Sequence, residues 1–384
     1  MLKDGIRYRI ENGLVKWMRD RNGNKLTFSY DQNSRVTLIT DSLNRKITIS
    51  YDVQDIQPYG LCDKIEFYGF GGAPRTIKVS KTNLGNALRF DFPATQTYAQ
   101  LFPQFNGSCG TCTHNPLVTS RVWLPNGQSY TFSYNPYGEL ALAKLPTGGS
   151  YQYDYAAGIS NGPVSGAWLA GLAASSSQAD SLYRRVVEKR TYDENNTLIG
   201  KSTFSQPESG NPCGGALCIQ TSGWVAVDHL NTGGSLITRS KHYFYGFAAD
   251  IEDVSGDTYP TWKSGREYKT ESIDANGVTV LRRMTQTWQQ RTTVSWWSSW
   301  CPGCSSELQP ANDTRVLESQ TELTDTNPII VSKQTFGYDD TVPFNNQNNV
   351  KEYAFGNGVP GPLVRETRTT YLTSTNYTGT SVHP

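Results

Sequence analysis

Asp20-Arg21-Asn22-Gly23-Asn24-Lys25-Leu26-Thr27-Phe28-Ser29-Tyr30-Asp31 is followed, 21 residues on, by Asp41-Ser42-Leu43-Asn44-Arg45-Lys46-Ile47-Thr48-Ile49-Ser50-Tyr51-Asp52. The same step returns further along, where Leu124/Leu145, Pro125/Pro146, Gly127/Gly148, Ser129/Ser150, Tyr130/Tyr151, Phe132/Tyr153 and Tyr134/Tyr155 fall in register. Two separate occurrences of one period mark a stacked array of supersecondary units, none of which can bury its apolar face alone.

Within a unit, Lys25 to Tyr30 and Lys46 to Tyr51 alternate polar with apolar or aromatic residues. A period of two predicts a strand with one packed and one wet face. Asn22-Gly23-Asn24 before the strand and Asn33-Ser34 after it tolerate positive φ where a hairpin must reverse. Each unit therefore reads as a β-hairpin with Tyr-Asp at a strand end, the carboxylate placed to accept a turn N–H.

The composition agrees. Charged residues make up 18% and aromatics 12%, with 22 Tyr, as in a turn-rich β protein. A net charge of +1 gives no electrostatic case for nucleic acid as a partner. The start, Met1 to Ile10, carries no apolar stretch of signal-peptide length, and no apolar run reaches the ~18 residues of a membrane span.

These residues resemble the RHS or YD-repeat family, whose units pair Tyr-Asp with a downstream Gly or Asn turn, an Arg and a further Asp. The match runs through Gly23, Tyr30-Asp31-Gln32-Asn33-Ser34-Arg35-Val36, Asp41, Arg45 and Tyr51-Asp52. Echoes follow at Tyr134-Asn135, Tyr153-Asp154, Tyr192-Asp193 and Tyr338-Asp339, with Asn135 replacing Asp, and with Ser34 and Asn196 standing where Gly is usual. The resemblance implies an all-β fold: antiparallel hairpin repeats forming a curved, spiralling sheet, part of an RHS-type shell, with long loop insertions. One array over 1–384 is expected, a fragment of a longer protein, with insertions at about 53–117, 157–181, 205–237 and 295–313. Tyr30, Asp31, Tyr51, Asp52, Tyr134, Tyr153 and Tyr192 take the repeat-building role.

All insertions but 157–181 hold cysteine: Cys62, Cys109, Cys112, Cys213, Cys218, Cys301 and Cys304. Disulfides within the close pairs Cys109/Cys112, Cys213/Cys218 and Cys301/Cys304 are the leading reading, which fits an oxidising compartment. A four-cysteine zinc site from Cys109, Cys112, Cys301 and Cys304 stays open, with His114 nearby, as do a redox-active Cys-Pro-Gly-Cys, which lacks its βαβ setting, and free thiols. Trp296, Trp297 and Trp300 either pack inward or contact a ligand such as a glycan.

No phosphate-binding loop, dinucleotide loop or Gly-x-Ser-x-Gly elbow is present, so Asp228-His229 lacks the rest of a hydrolase signature. The repeated aspartates read as turn caps, not as glycosidase or calcium carboxylates. No catalytic residue and no cofactor are expected. The function predicted is a non-enzymatic structural segment of a secreted or cell-surface RHS-repeat protein that encloses or presents a toxin or effector domain. Its partners would be further repeats and that domain, without a membrane span. A surface adhesion or carbohydrate-binding module using the aromatic insertions is the alternative.

Overall fold

The computed structural model describes residues 6–20, 22–101, 110–157, 184–206, 220–247, 261–263, 265–291, 314–340 and 345–371. These fall into two compact units, one reaching Ile199 and the other beginning at Gly200. Among the described residues there are 22 strands.

The first unit holds β1 (Arg7–Glu11), β2 (Leu14–Arg19), β3 (Lys25–Tyr30), β4 (Val36–Asp41), β5 (Lys46–Gln54), β6 (Leu61–Tyr68), β7 (Pro74–Asn83), β8 (Leu117–Trp123), β9 (Ser129–Tyr134), β10 (Leu140–Lys144), β11 (Ser150–Ala157) and β12 (Arg184–Tyr192). Each pairs antiparallel with the next in sequence, so the unit is an uninterrupted meander.

The second holds β13 (Leu198–Ser205), β14 (Gln220–Leu230), β15 (Leu236–Phe247), β16 (Glu267–Ile273), β17 (Val280–Gln289), β18 (Arg315–Leu323), β19 (Ile330–Asp339), β20 (Asn346–Tyr353), β21 (Gly356–Asn357) and β22 (Leu363–Arg368). Sequential antiparallel pairing runs from β13 to β20; β21 then returns to β19, and β22 lies on β20.

The expected curved, spiralling sheet of a shell is overturned. In each unit the strands follow one another in an open succession, and no described pairing brings the end of a meander back onto its beginning. Turn chemistry specifies which strands are neighbours and in what register, but closure needs pairing between the first and last strands at a fixed stagger, which no local turn encodes. Most strand residues here are only half-buried on both faces.

Two insertion boundaries also change. Residues 61–83, expected in the first insertion, are the regular strands β6 and β7, whose Ile65-Glu66-Phe67 alternation is itself a strand pattern. Among the described residues, 84–101 and 110–116 leave the ladder. The third expected insertion likewise contains β14 and the start of β15. The other two, about 157–181 and 295–313, lie almost wholly outside the described residues.

The excursion through 84–101 and 110–116 builds the core of the first unit. Leu84 N–H bonds Pro116 O at 2.9 Å, and Ala87 and Arg89 exchange backbone bonds with Tyr134 at 2.8 Å each. A short helix, α1 (Tyr98–Leu101), follows, and Tyr137 Oη donates to Leu101 O at 2.9 Å. Beneath this cover Leu84, Leu101, Ala141, Ala143, Ala156 and Val187 are buried. Sealing one face of the sheet with its own chain supplies the apolar burial that a single sheet lacks.

Candidate functional site

A five-residue turn recurs through the first unit. In the Asp31 turn, Oδ1 accepts the amides of Asn33 and Arg35 at 2.9 Å each, while Ser34 N–H bonds Asp31 O at 3.0 Å. Asp20 repeats this with Asn22 and Asn24, Asp41 with Leu43 and Arg45, and Asp193 with Asn195 and Thr197. Asn135 does so with Tyr137 and Glu139, its amide oxygen serving as well as a carboxylate.

The fourth position of each turn has positive φ, at Gly23 (94°), Ser34 (63°), Asn44 (60°), Gly138 (78°) and Asn196 (62°). Ser34 and Asn196 thus adopt the left-handed region that Gly would enter without cost. Arg35 N–H is the main reason the Asp31 carboxyl sits below its ordinary value, and Arg45 N–H acts likewise on Asp41.

A tyrosine at the strand end then reaches over to the backbone of the preceding strand. Tyr30 Oη donates to Val15 O (2.6 Å), Tyr51 to Val36 O (2.9 Å), Tyr134 to Thr119 O (2.6 Å) and Tyr155 to Leu140 O (2.9 Å), each 15 residues back. The latch on β11 is therefore Tyr155, and Tyr153 instead offers its backbone oxygen to Arg89 at 3.0 Å. Tyr192 ends β12, opposite Ser150. In the second unit, Tyr338 donates to Val316 O at 2.8 Å.

The Arg35 guanidinium stacks on the Tyr51 ring at 4.3 Å and bonds Asp52 at 2.7 Å. Arg315 treats Tyr338 and Asp340 the same way, at 4.5 Å and 2.8 Å. Asp52 is not a turn cap: it lies in a bulge of β5 with φ 54°, held by Arg35 and Lys81. Replacing Tyr51 by Phe removes the hydroxyl and keeps the ring under Arg35, so a loss of about 0.5–1.5 kcal/mol in urea unfolding is expected.

Two buried ionic hubs were not read from sequence. Arg89, only 4% exposed, is bidentate to Asp91 (2.6 and 2.7 Å) and bonds Asp154 (2.7 Å) and Tyr153 O (3.0 Å). Asp154 also takes Arg190 at 2.6 Å. Burial acts to raise the Asp154 pKa, but Arg190 and Arg89 prevail and hold it below its ordinary value. In the second unit Glu271, 6% exposed, accepts Tyr243 Oη (2.7 Å) and Arg283 Nε (3.0 Å), and Arg283 continues to Glu322 (3.1 Å). Burial, then Glu271, pushes the Tyr243 phenol well above its usual range.

The catalytic candidates do not assemble. Ser202 Oγ lies 3.1 Å from His229 Nδ1, yet the Asp228 carboxylate is bidentate to Arg239 (2.6 and 2.8 Å) and takes no part in a triad. His114 packs edge-on against Tyr98, with centroids 5.2 Å apart. Among the described residues no group of three or more His, Cys, Asp and Glu is placed to hold a metal ion.

Cys62 is a buried free thiol whose pKa burial raises. Cys112 is disulfide-bonded. Cys109, Cys213, Cys218, Cys301 and Cys304 lie outside the described residues, as do Trp296, Trp297 and Trp300. No helix among the described residues is long and apolar enough to cross a membrane.

No family model matches the sequence, and no curated protein matches it. Solved structures with a distant likeness include a porin-like protein from Bacteroides uniformis ATCC 8492, at 8% identity over 90% of this chain and 93% of that one, with a TM-score of 0.23. A porin-like protein from Bacteroides vulgatus ATCC 8482 is also 8% identical, over 59% of this chain and 86% of that one, at 0.21. TcdB2-TccC3-Cdc42 is 11% identical over 91% of this chain but only 20% of that one, at 0.15. Likeness at this level establishes neither a shared fold nor a shared activity.

Proposed function

We propose that this chain is a non-enzymatic structural module, a β-repeat segment of a secreted or cell-surface protein of RHS or YD type that presents a toxin or effector domain. The observation that carries the reading is the recurrent unit itself: an Asx-capped turn with a left-handed fourth residue, followed by a tyrosine latched 15 residues back. Such a unit spends its polar side chains on its own backbone. What it offers is a rigid, extendable support, to which each further unit adds one more latch.

The genomic locus tests this. Further Tyr-Asp units in the same frame, with a downstream effector and its immunity gene, are the expected result. A locus with neither would overturn the proposal.

A further inference from the structure

In the first unit alternate turns of the meander lie at one end, so the turns at 20–24, 41–45 and 69–73 share an end with the start of β1. The turn at 69–73 is a glycine tip, with Gly71 and Gly72 both at φ 76°, and it projects Phe70 fully into solvent, with Tyr68 72% exposed at its base. Leu43, 74% exposed, crowns the turn two strands away. Two strand spacings put these tips about 10 Å apart, close enough to meet one flat surface.

The charge at this end is one-sided. Among the described residues of β1 to β7 near it, the cations Arg7, Arg19, Lys25, Arg45, Lys46 and Arg75 face three carboxylates, Asp20, Asp41 and Glu66. Asp20 and Asp41 are turned onto their own turn amides, and Asp41 also pairs with Arg45 at 2.6 Å, which leaves Arg7, Arg19, Lys25, Lys46 and Arg75 to carry the excess. An aromatic finger, a tyrosine collar and a surrounding positive excess are what an anionic bilayer surface recognises: the apolar tips enter the headgroup boundary, and the cations meet lipid phosphates and carboxylates.

We propose that this end of the first unit docks on anionic lipid membranes, with Phe70 as the inserted side chain and Tyr68 and Leu43 seated beside it. The protein lies on the bilayer and does not span it. A protein partner or a second copy of the chain would use the same apolar tips without needing lipid, so those occupants are outcomes of the test.

The test is co-sedimentation of the full chain with vesicles of phosphatidylcholine alone or containing one-fifth phosphatidylserine. Binding is expected to the anionic vesicles and not to the neutral ones, weakening as salt rises. Phe70→Ser, which touches nothing buried, should weaken it by about tenfold or more, and Arg75→Gln or Lys46→Gln by about fivefold each. Phe90→Ser, at an 85% exposed position in the β7–β8 excursion, serves as the control and should leave it unchanged. The proposal is overturned by no binding, by equal binding to both vesicles, by a Phe70→Ser protein that binds as before, by equal loss in Phe90→Ser, or by a Phe70-dependent dimer that forms without lipid.

Discussion

Arg89→Ala is expected to destabilise the first unit by about 2–4 kcal/mol, below the cost of breaking a fully buried pair because Asp91 is 43% exposed and Asp154 keeps Arg190. Two carboxylates, Asp91 and Asp154, lose it together, and Tyr153 O loses a donor. In urea the unfolding midpoint should fall by roughly 1–2 M. Lysine at the same position keeps the charge but not the fork that holds two carboxylates and a carbonyl at once, so Arg89→Lys should recover only part of the loss.

The hub also sets an acid limit. Because the Asp154 pKa is depressed in the folded chain, its contribution is complete above the unfolded carboxyl value of about 4 and is lost as the pH falls through the lower, folded value. Unfolding midpoints measured from pH 6 downward should therefore drop below about pH 4. The drop should be shallower in Arg89→Ala, where one of the two cations that depress Asp154 is gone. An identical acid limb in both proteins would show that Asp154 is not what links stability to pH.

Glu271→Ala should be the largest single loss in the second unit, about 2–3 kcal/mol. That lies below the figure for a fully buried pair, because Arg283 is 36% exposed and keeps Glu322. Tyr243 Oη is left without its acceptor. Glu271→Gln retains the volume and an acceptor oxygen, so it should cost less than half as much in the same urea titration. A Gln variant as unstable as the Ala variant would place the effect in packing and not in charge.

The alternation in Lys25 to Tyr30 and Lys46 to Tyr51 foretold strands that appear as β3 and β5. Asp20, Asp31 and Asp41 occupy the turns where their spacing put them. The register of Tyr134 with Tyr155 was also present in the sequence, although the dipeptide Tyr153-Asp154 drew attention to the wrong tyrosine. The pattern failed where a side chain's partner is distant. Asp154 looks like another strand-end aspartate, but its partner Arg89 is 65 residues away, in a stretch with no repeat signature. Asp52 matches the Tyr-Asp motif at every local position, and a bulge with cations from β7 and the 31–35 turn gives it another job.

The sequence by itself determined the hairpins of the 21-residue units and their left-handed turn positions, because each depends on chemistry within about five neighbouring residues. Tertiary structure alone decided that neither meander pairs its end with its beginning, that 84–101 and 110–116 fold back to make a core, and that Arg89 and Glu271 are buried among opposite charges. Those outcomes depend on which face is covered and on partners tens of residues apart, and a 21-residue period records neither.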